Sequence, residues 1–135
     1  MKIKNKTLTI GIKQSEKFIV LNEHTAKTLQ SGGADVLGTP ALIAKMEKCA
    51  WQSVLPFMED GYDTVGTFIE MKHLSASPIG IEVVCESELI AVNGRELTFH
   101  ITAYDTVAKI AESTHKRVII KCDLFLQKTN TKLTN

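Results

Sequence analysis

Three polar residues stand where a reaction at a carbonyl could use them: Thr39, Glu47 and His73. The run from Gly38 to Leu55 is expected as one long helix. Thr39 can cap its first free amides, Pro40 loses nothing at the next position, and Pro56 limits the far end. At about 100° per residue, Lys45, Lys48 and Gln52 share one narrow side, and Leu42, Ile43, Met46, Ala50, Trp51 and Val54 occupy the rest. Glu47 projects between Ile43, Ala50, Trp51 and Val54. An ionised, unpaired carboxylate there would cost several kcal/mol, so it must be protonated, hydrogen-bonded or facing a polar pocket. The competing arrangement is a rotated helix with Glu47 reaching solvent at an edge.

His73 is the second polar residue directed inward. In the strand before Ser75, period two puts Val65, Thr67, Ile69, Met71 and His73 on one face, opposite Gly66, Phe68, Glu70 and Lys72. Alone, such a histidine is more often structural, and capping alone explains Thr39. Together, a carboxylate, an imidazole and a hydroxyl at a helix N-terminus can bind and activate a carbonyl substrate. Other chemistries lack their residues. His24, His100 and His115 form no metal-ligand spacing, so no metal or other cofactor is expected, and there is no phosphate-binding glycine loop or nucleophile elbow. Cys49, Cys85 and Cys122 are unpaired in spacing and read as reduced, packed thiols.

The elements that position these residues fit one domain over 1–135, with 1–16 as an N-terminal extension or hairpin and 128–135 as a frayed tail. A chain of 135 residues, 44% hydrophobic and 23% charged, can bury a real core. Its formal charge of +1, mixed along the chain, gives no patch for nucleic acid or an anionic membrane, and no span approaches membrane length. The positive start, Met1 to Lys6, lacks the apolar segment of a signal peptide, which points to the cytoplasm. Thr7 to Lys13 and Phe18 to Leu21 read as a small hairpin or one strand interrupted at Gln14-Ser15-Glu16, and His24 to Gln30 as a short helix stopped by Ser31-Gly32-Gly33. After the long helix and a turn at Glu59-Asp60-Gly61, everything is period two. Strands are expected from Val65 to His73, Gly80 to Val92, Arg95 to Tyr104 and about His115 to Gln127, with Asn93-Gly94 as a hairpin turn. In the last, Val118, Ile120, Cys122, Leu124 and Leu126 face inward, and Arg117 and Ile119 outward. The expected class is α+β, a curved antiparallel sheet wrapped around one long central helix.

At this level the sequence resembles the hot-dog-fold acyl-CoA thioesterases, in the fluoroacetyl-CoA thioesterase-like branch. The likeness covers Phe18 to Leu126 and rests on Thr25-Ala26-Lys27-Thr28-Leu29, Thr39-Pro40 with Met46-Glu47, Thr64-Val65-Gly66-Thr67, His73-Leu74 with Pro78 and Gly80, Asn93-Gly94-Arg95 and His115-Lys116-Arg117. It implies Thr39, Glu47 and His73 as the catalytic set, with Gly66 and Arg117 associated with substrate or coenzyme A. It further implies hydrolysis of a small or medium acyl-CoA to acid and coenzyme A, with Glu47 as general base. A homodimer is expected because an open curved sheet has edges that one helix cannot cover, and pairing of dimers into a tetramer is left open. Two features depart from the family pattern. The loop Ser31 to Asp35 carries no aromatic lid residue, so selectivity for a fluorinated acyl group is not implied, and Ser113 replaces an expected glycine. A hot-dog hydratase or acyltransferase, and a non-catalytic acyl-CoA or small-molecule binding protein, are the alternatives.

Overall fold

The computed structural model describes residues 7–134; the charged start lies outside them. Five strands form one antiparallel sheet: β1 (Lys13–Ile19), β2 (Tyr62–His73), β3 (Glu82–Asn93), β4 (Glu96–Asp105) and β5 (Lys109–Lys121), in the order β1-β3-β4-β5-β2. A short helix α1 (Ala26–Leu29) and the long helix α2 (Thr39–Val54) lie between β1 and β2, and α3 (Cys122–Asn130) follows β5. The α+β expectation holds, with one face of the sheet covered by one long helix.

Helix α2 buries Leu42, Met46, Cys49, Ala50, Ser53 and Val54. All of these but Ser53 meet the inward residues of β3 (Val83, Cys85, Leu89) and β4 (Leu97, Phe99, Ile101, Ala103) in a single core. The turn between β3 and β4 is made at Gly94 and Arg95, Gly94 supplying a φ of +62°.

β1 is one continuous strand through Gln14-Ser15-Glu16, the segment expected as an interruption. Its burial still alternates, because Gln14, Glu16 and Phe18 oppose Ser87, Cys85 and Val83 of β3 on the inner face. Glu16 is satisfied there by Lys48 of α2 at 3.3 Å.

Two period-two expectations fail for stated reasons. In β2, the register shifts between Gly66 and Phe68, so Thr67 is an extra residue in the ladder. Gly66 opposes the inward Arg117, and Ile69 opposes the inward His115; Val65 and Thr67 therefore do not share a face with His73. In β5, burial follows Ala111, Ser113, His115, Arg117 and Ile119, and Val118 and Ile120 lie on the opposite face. That strand also begins earlier and ends earlier than expected. From Cys122 the chain is helical through Asn130, and a further helical turn spans Thr131–Thr134 where a frayed tail was expected.

Candidate active site

The start of α2 is built by close backbone packing. Gly38 is the N-cap, and a Cβ there would stand 3.0 Å from the Ala26 nitrogen and 3.3 Å from the His24 carbonyl oxygen. Only glycine admits that approach, which the Gly38 N–H uses to donate to His24 O at 2.8 Å. Just upstream, the Leu37 N–H donates to Ser77 O at 2.9 Å, and Val36 bridges to Pro78. The helix start is thereby tied to the segment that follows β2. Thr39 is not the cap expected of it; it is the first helical residue, and its Oγ1 lies 2.8 Å from Nδ1 of His73.

His73 is half-buried, and burial pushes its imidazole below the ordinary pKa, the backbone of Ser75 acting less strongly in the other sense. At neutral pH the ring is uncharged. Among the described residues, His73 Nε2 and Ser113 Oγ are the buried side-chain polar atoms with no hydrogen-bond partner. Thr39 and His73 open on a cavity of about 710 Å³ lined by Val36, Leu37, Ile43, Leu74 and Ala76, with Gly38 and Pro40 at the helix end.

Glu47 lies on the flank of α2, half-buried, beside a second cavity of about 350 Å³ that it lines with Ala44, Lys48, Trp51 and Arg117. This answers the question raised by its apolar neighbours: it faces an open cleft at the sheet edge that the buried Arg117 also lines. A Cβ on Gly66 would meet His115 Cε1 at 3.2 Å, Arg117 Nη1 at 3.5 Å and Glu47 Oε1 at 3.6 Å. Three side chains thus converge on the place that glycine leaves empty. Arg117 is buried, not outward: its Nε–H donates to Thr64 Oγ1 at 2.8 Å and Nη2–H to Thr64 O at 2.9 Å. Burial pushes its pKa down and the carboxylates of Glu47 and Asp63 push it back up, so the guanidinium stays charged. Asp63 ties the cleft wall together, accepting from Trp51 Nε1 at 2.7 Å and from the Thr64 amide at 2.6 Å.

The five residues therefore fall into two groups, Thr39 with His73 and Glu47 with Gly66 and Arg117. Thr39 and Glu47 are eight residues apart on α2, roughly 12 Å along its axis.

The sequence matches the family described as fluoroacetyl-CoA-specific thioesterase over residues 20–123. The chain belongs to that family. A fluoroacetyl-CoA thioesterase from Streptantibioticus cattleyicolor is 28% identical over 131 residues, covering 93% of this chain and 94% of that protein. A solved structure of a fluoroacetyl-CoA thioesterase superposes with a TM-score of 0.90 at 28% identity, over 94% of this chain and 98% of the other. A thioesterase superfamily member from Thermus thermophilus gives a TM-score of 0.85 at 20% identity, over 96% of this chain and 99% of that one, a likeness of fold. The fold is the hot-dog fold, and the chain is a thioester hydrolase.

In this thioesterase the Cys49 thiol lies on the β1–β3 side of α2, 3.4 Å from Gln14 O and 3.7 Å from Cys85 O. Cys49 and Cys85 are buried beneath β1, where burial pushes both thiols up, Cys85 to about 12. Among the described residues no cluster of His, Cys, Asp or Glu could hold a metal ion, and no helix is long and apolar enough to cross a membrane. Sequence reasoning assigned nothing to Thr64 or His115. The signal was present as Ser113-His115-Arg117, polar residues at alternate positions in a strand, but the apolar alternation of Val118 to Leu126 masked it.

Proposed function

We propose that this thioesterase hydrolyses a small or medium acyl-CoA to the free acid and coenzyme A, in a homodimer that joins its two groups of site residues. The observation that carries this reading is the Thr39 hydroxyl held 2.8 Å from a neutral, half-buried His73 at the first turn of α2. A hydroxyl against an imidazole is the arrangement of an activated nucleophile or a positioned water, and the helix N-terminus favours developing negative charge. Glu47 is the general base, removing a proton from the attacking water. Thr39 positions that water or takes the acyl group transiently, and His73, through its unpartnered Nε2, stabilises the oxyanion or protonates the departing thiolate. Gly66, which carries no side chain, lets the thioester approach β2 beside Glu47, and Arg117 sets the charge of the coenzyme side of the cleft.

Strand β2 is an edge of the sheet. A twofold pairing of β2 with its copy runs the two strands antiparallel, so the Gly66 end of each chain lies toward the His73 end of the other. The apolar cavity beside His73, with no aromatic residue in the Ser31 to Asp35 loop, suits an alkyl acyl group larger than a two-carbon one. An acyl-CoA substrate is in keeping with a cytoplasmic location.

The test is release of free thiol from acyl-CoAs of increasing chain length, with fluoroacetyl-CoA included. Turnover on alkyl substrates supports the reading; saturable binding with no thiol released overturns it in favour of a binding protein.

A further inference from the structure

His115 is buried, 1% exposed, at the point where the Glu47 cleft meets the β2 bulge, and none of the roles above uses it. Its Nδ1 lies 2.8 Å from the carbonyl oxygen of Phe68, the residue immediately after the bulge. A carbonyl can only accept, so Nδ1 carries the proton. Nε2 of the neutral ring is then bare, and it lies 3.2 Å from Arg117 Nη1, which donates to it. Phe99 tilts against the ring at 6.2 Å between centroids and Gly66 closes the other side, so the imidazole has no other place to go.

We propose that His115 is a positioning residue: its bare Nε2 holds the Arg117 guanidinium on the strand side of the cleft and keeps it from pairing with Glu47. Among the described residues, the side-chain hydrogen bonds of Arg117 go to Thr64 and His115 and none to Glu47. Arg117 therefore acts on the carboxylate by its charge, while the carboxylate oxygens stay free to take a proton from water. This rests on the role of Glu47 proposed above. Burial and the neighbouring Arg117 keep His115 neutral, against the pull of the Phe68 carbonyl and Glu47. The charged groups facing this cleft are Glu47 and Lys48 from α2, Asp63 from β2 and Arg117 from β5.

Two substitutions separate the halves of the ring. In His115→Asn the amide nitrogen can still donate to Phe68, but nothing reaches Arg117. In His115→Gln the carbonyl oxygen can stand near the Nε2 position and accept from Arg117. The Asn variant is expected to stay folded, lose kcat by about tenfold or more, and move the acid limb of its kcat/KM profile to lower pH as the freed guanidinium pairs with Glu47. The Gln variant restores both. Wild-type kcat and acid limb in folded His115→Asn would overturn the proposal, as would equal losses in the two variants that merely track their melting temperatures. A Glu47→Gln control distinguishes the two levels, since undiminished turnover there sinks the Glu47 role alone. Ring ¹⁵N spectra then still decide for His115: a bare Nε2 at about pH 7 upholds the tie to Arg117, and a protonated Nε2 there removes it.

Discussion

At the scale of single residues, Glu47 was legible because a carboxylate among Ile43, Ala50, Trp51 and Val54 has to be explained, and the cleft it faces is the explanation. Thr39 was legible as important and misread in detail. Gly38 takes the cap position because Ala26 packs on it, which frees the threonine hydroxyl for His73. His115 was not legible, since its meaning depends on which face of β5 turns inward. If Glu47 is the general base, Glu47→Gln keeps its shape and removes the proton acceptor. Turnover should fall by roughly 10² to 10⁴ with the melting temperature unchanged or raised, because a neutral amide is less costly to bury. Thiol release and thermal melts on the same preparation check this. A structural Glu47 gives the opposite pair of results.

At the scale of elements, the long helix and the β3–β4 hairpin were readable because their periodicity serves one purpose, burial of an apolar face. β5 was misread because its inner face is polar beside the cleft, so the apolar residues Val118 and Ile120 mark the wrong side. Beyond Lys121 the chain becomes helical, although Cys122, Leu124 and Leu126 alternate as a strand would. The bulge at Thr67 left no sequence signal of its own; it shows only once Gly66 and Ile69 are paired with Arg117 and His115. This local geometry carries a prediction for Gly66→Ala. The new methyl meets the His115 ring at 3.2 Å, a rigid neighbour that must give by a few tenths of an ångström. The expected loss in kcat/KM is about tenfold, short of the 10² that a full 1 Å misplacement costs. A Gly66→Ala protein with wild-type steady-state kinetics would show that Glu47, Arg117 and His115 need no such close fit.

At the scale of the whole molecule, the proposed homodimer rests on the unpaired edge of β2 and the separation of Thr39 from Glu47. Sedimentation and thiol release followed through dilution should show activity per chain falling as the dimer dissociates; a fully active monomer would exclude a shared site. Stability should also depend on pH in a defined direction. His73 and His115 have pKa values below 6.5 in the folded protein, so folding favours their neutral forms. Their contribution is complete above pH 6.5 and is lost as the pH falls through the lower folded values, since the unfolded chain takes up protons first. Asp105 and Glu112, both held below the ordinary carboxylate range, add a second loss at more acidic pH. Melting temperatures should therefore decline from about pH 6.5 downward, with a shallower slope in His115→Asn. A rise on acidification through that window would contradict the burial of the two rings.

Trp51 is the single tryptophan of the chain, and it borders the Glu47 cleft with its indole N–H fixed on Asp63 at 2.7 Å. The molecule thus carries its own optical probe at the cleft. Titrating coenzyme A or an unreactive thioether analogue into the Glu47→Gln protein should change Trp51 emission in a saturable way, giving an affinity free of any turnover. A spectrum unchanged at saturation would move the coenzyme away from that wall.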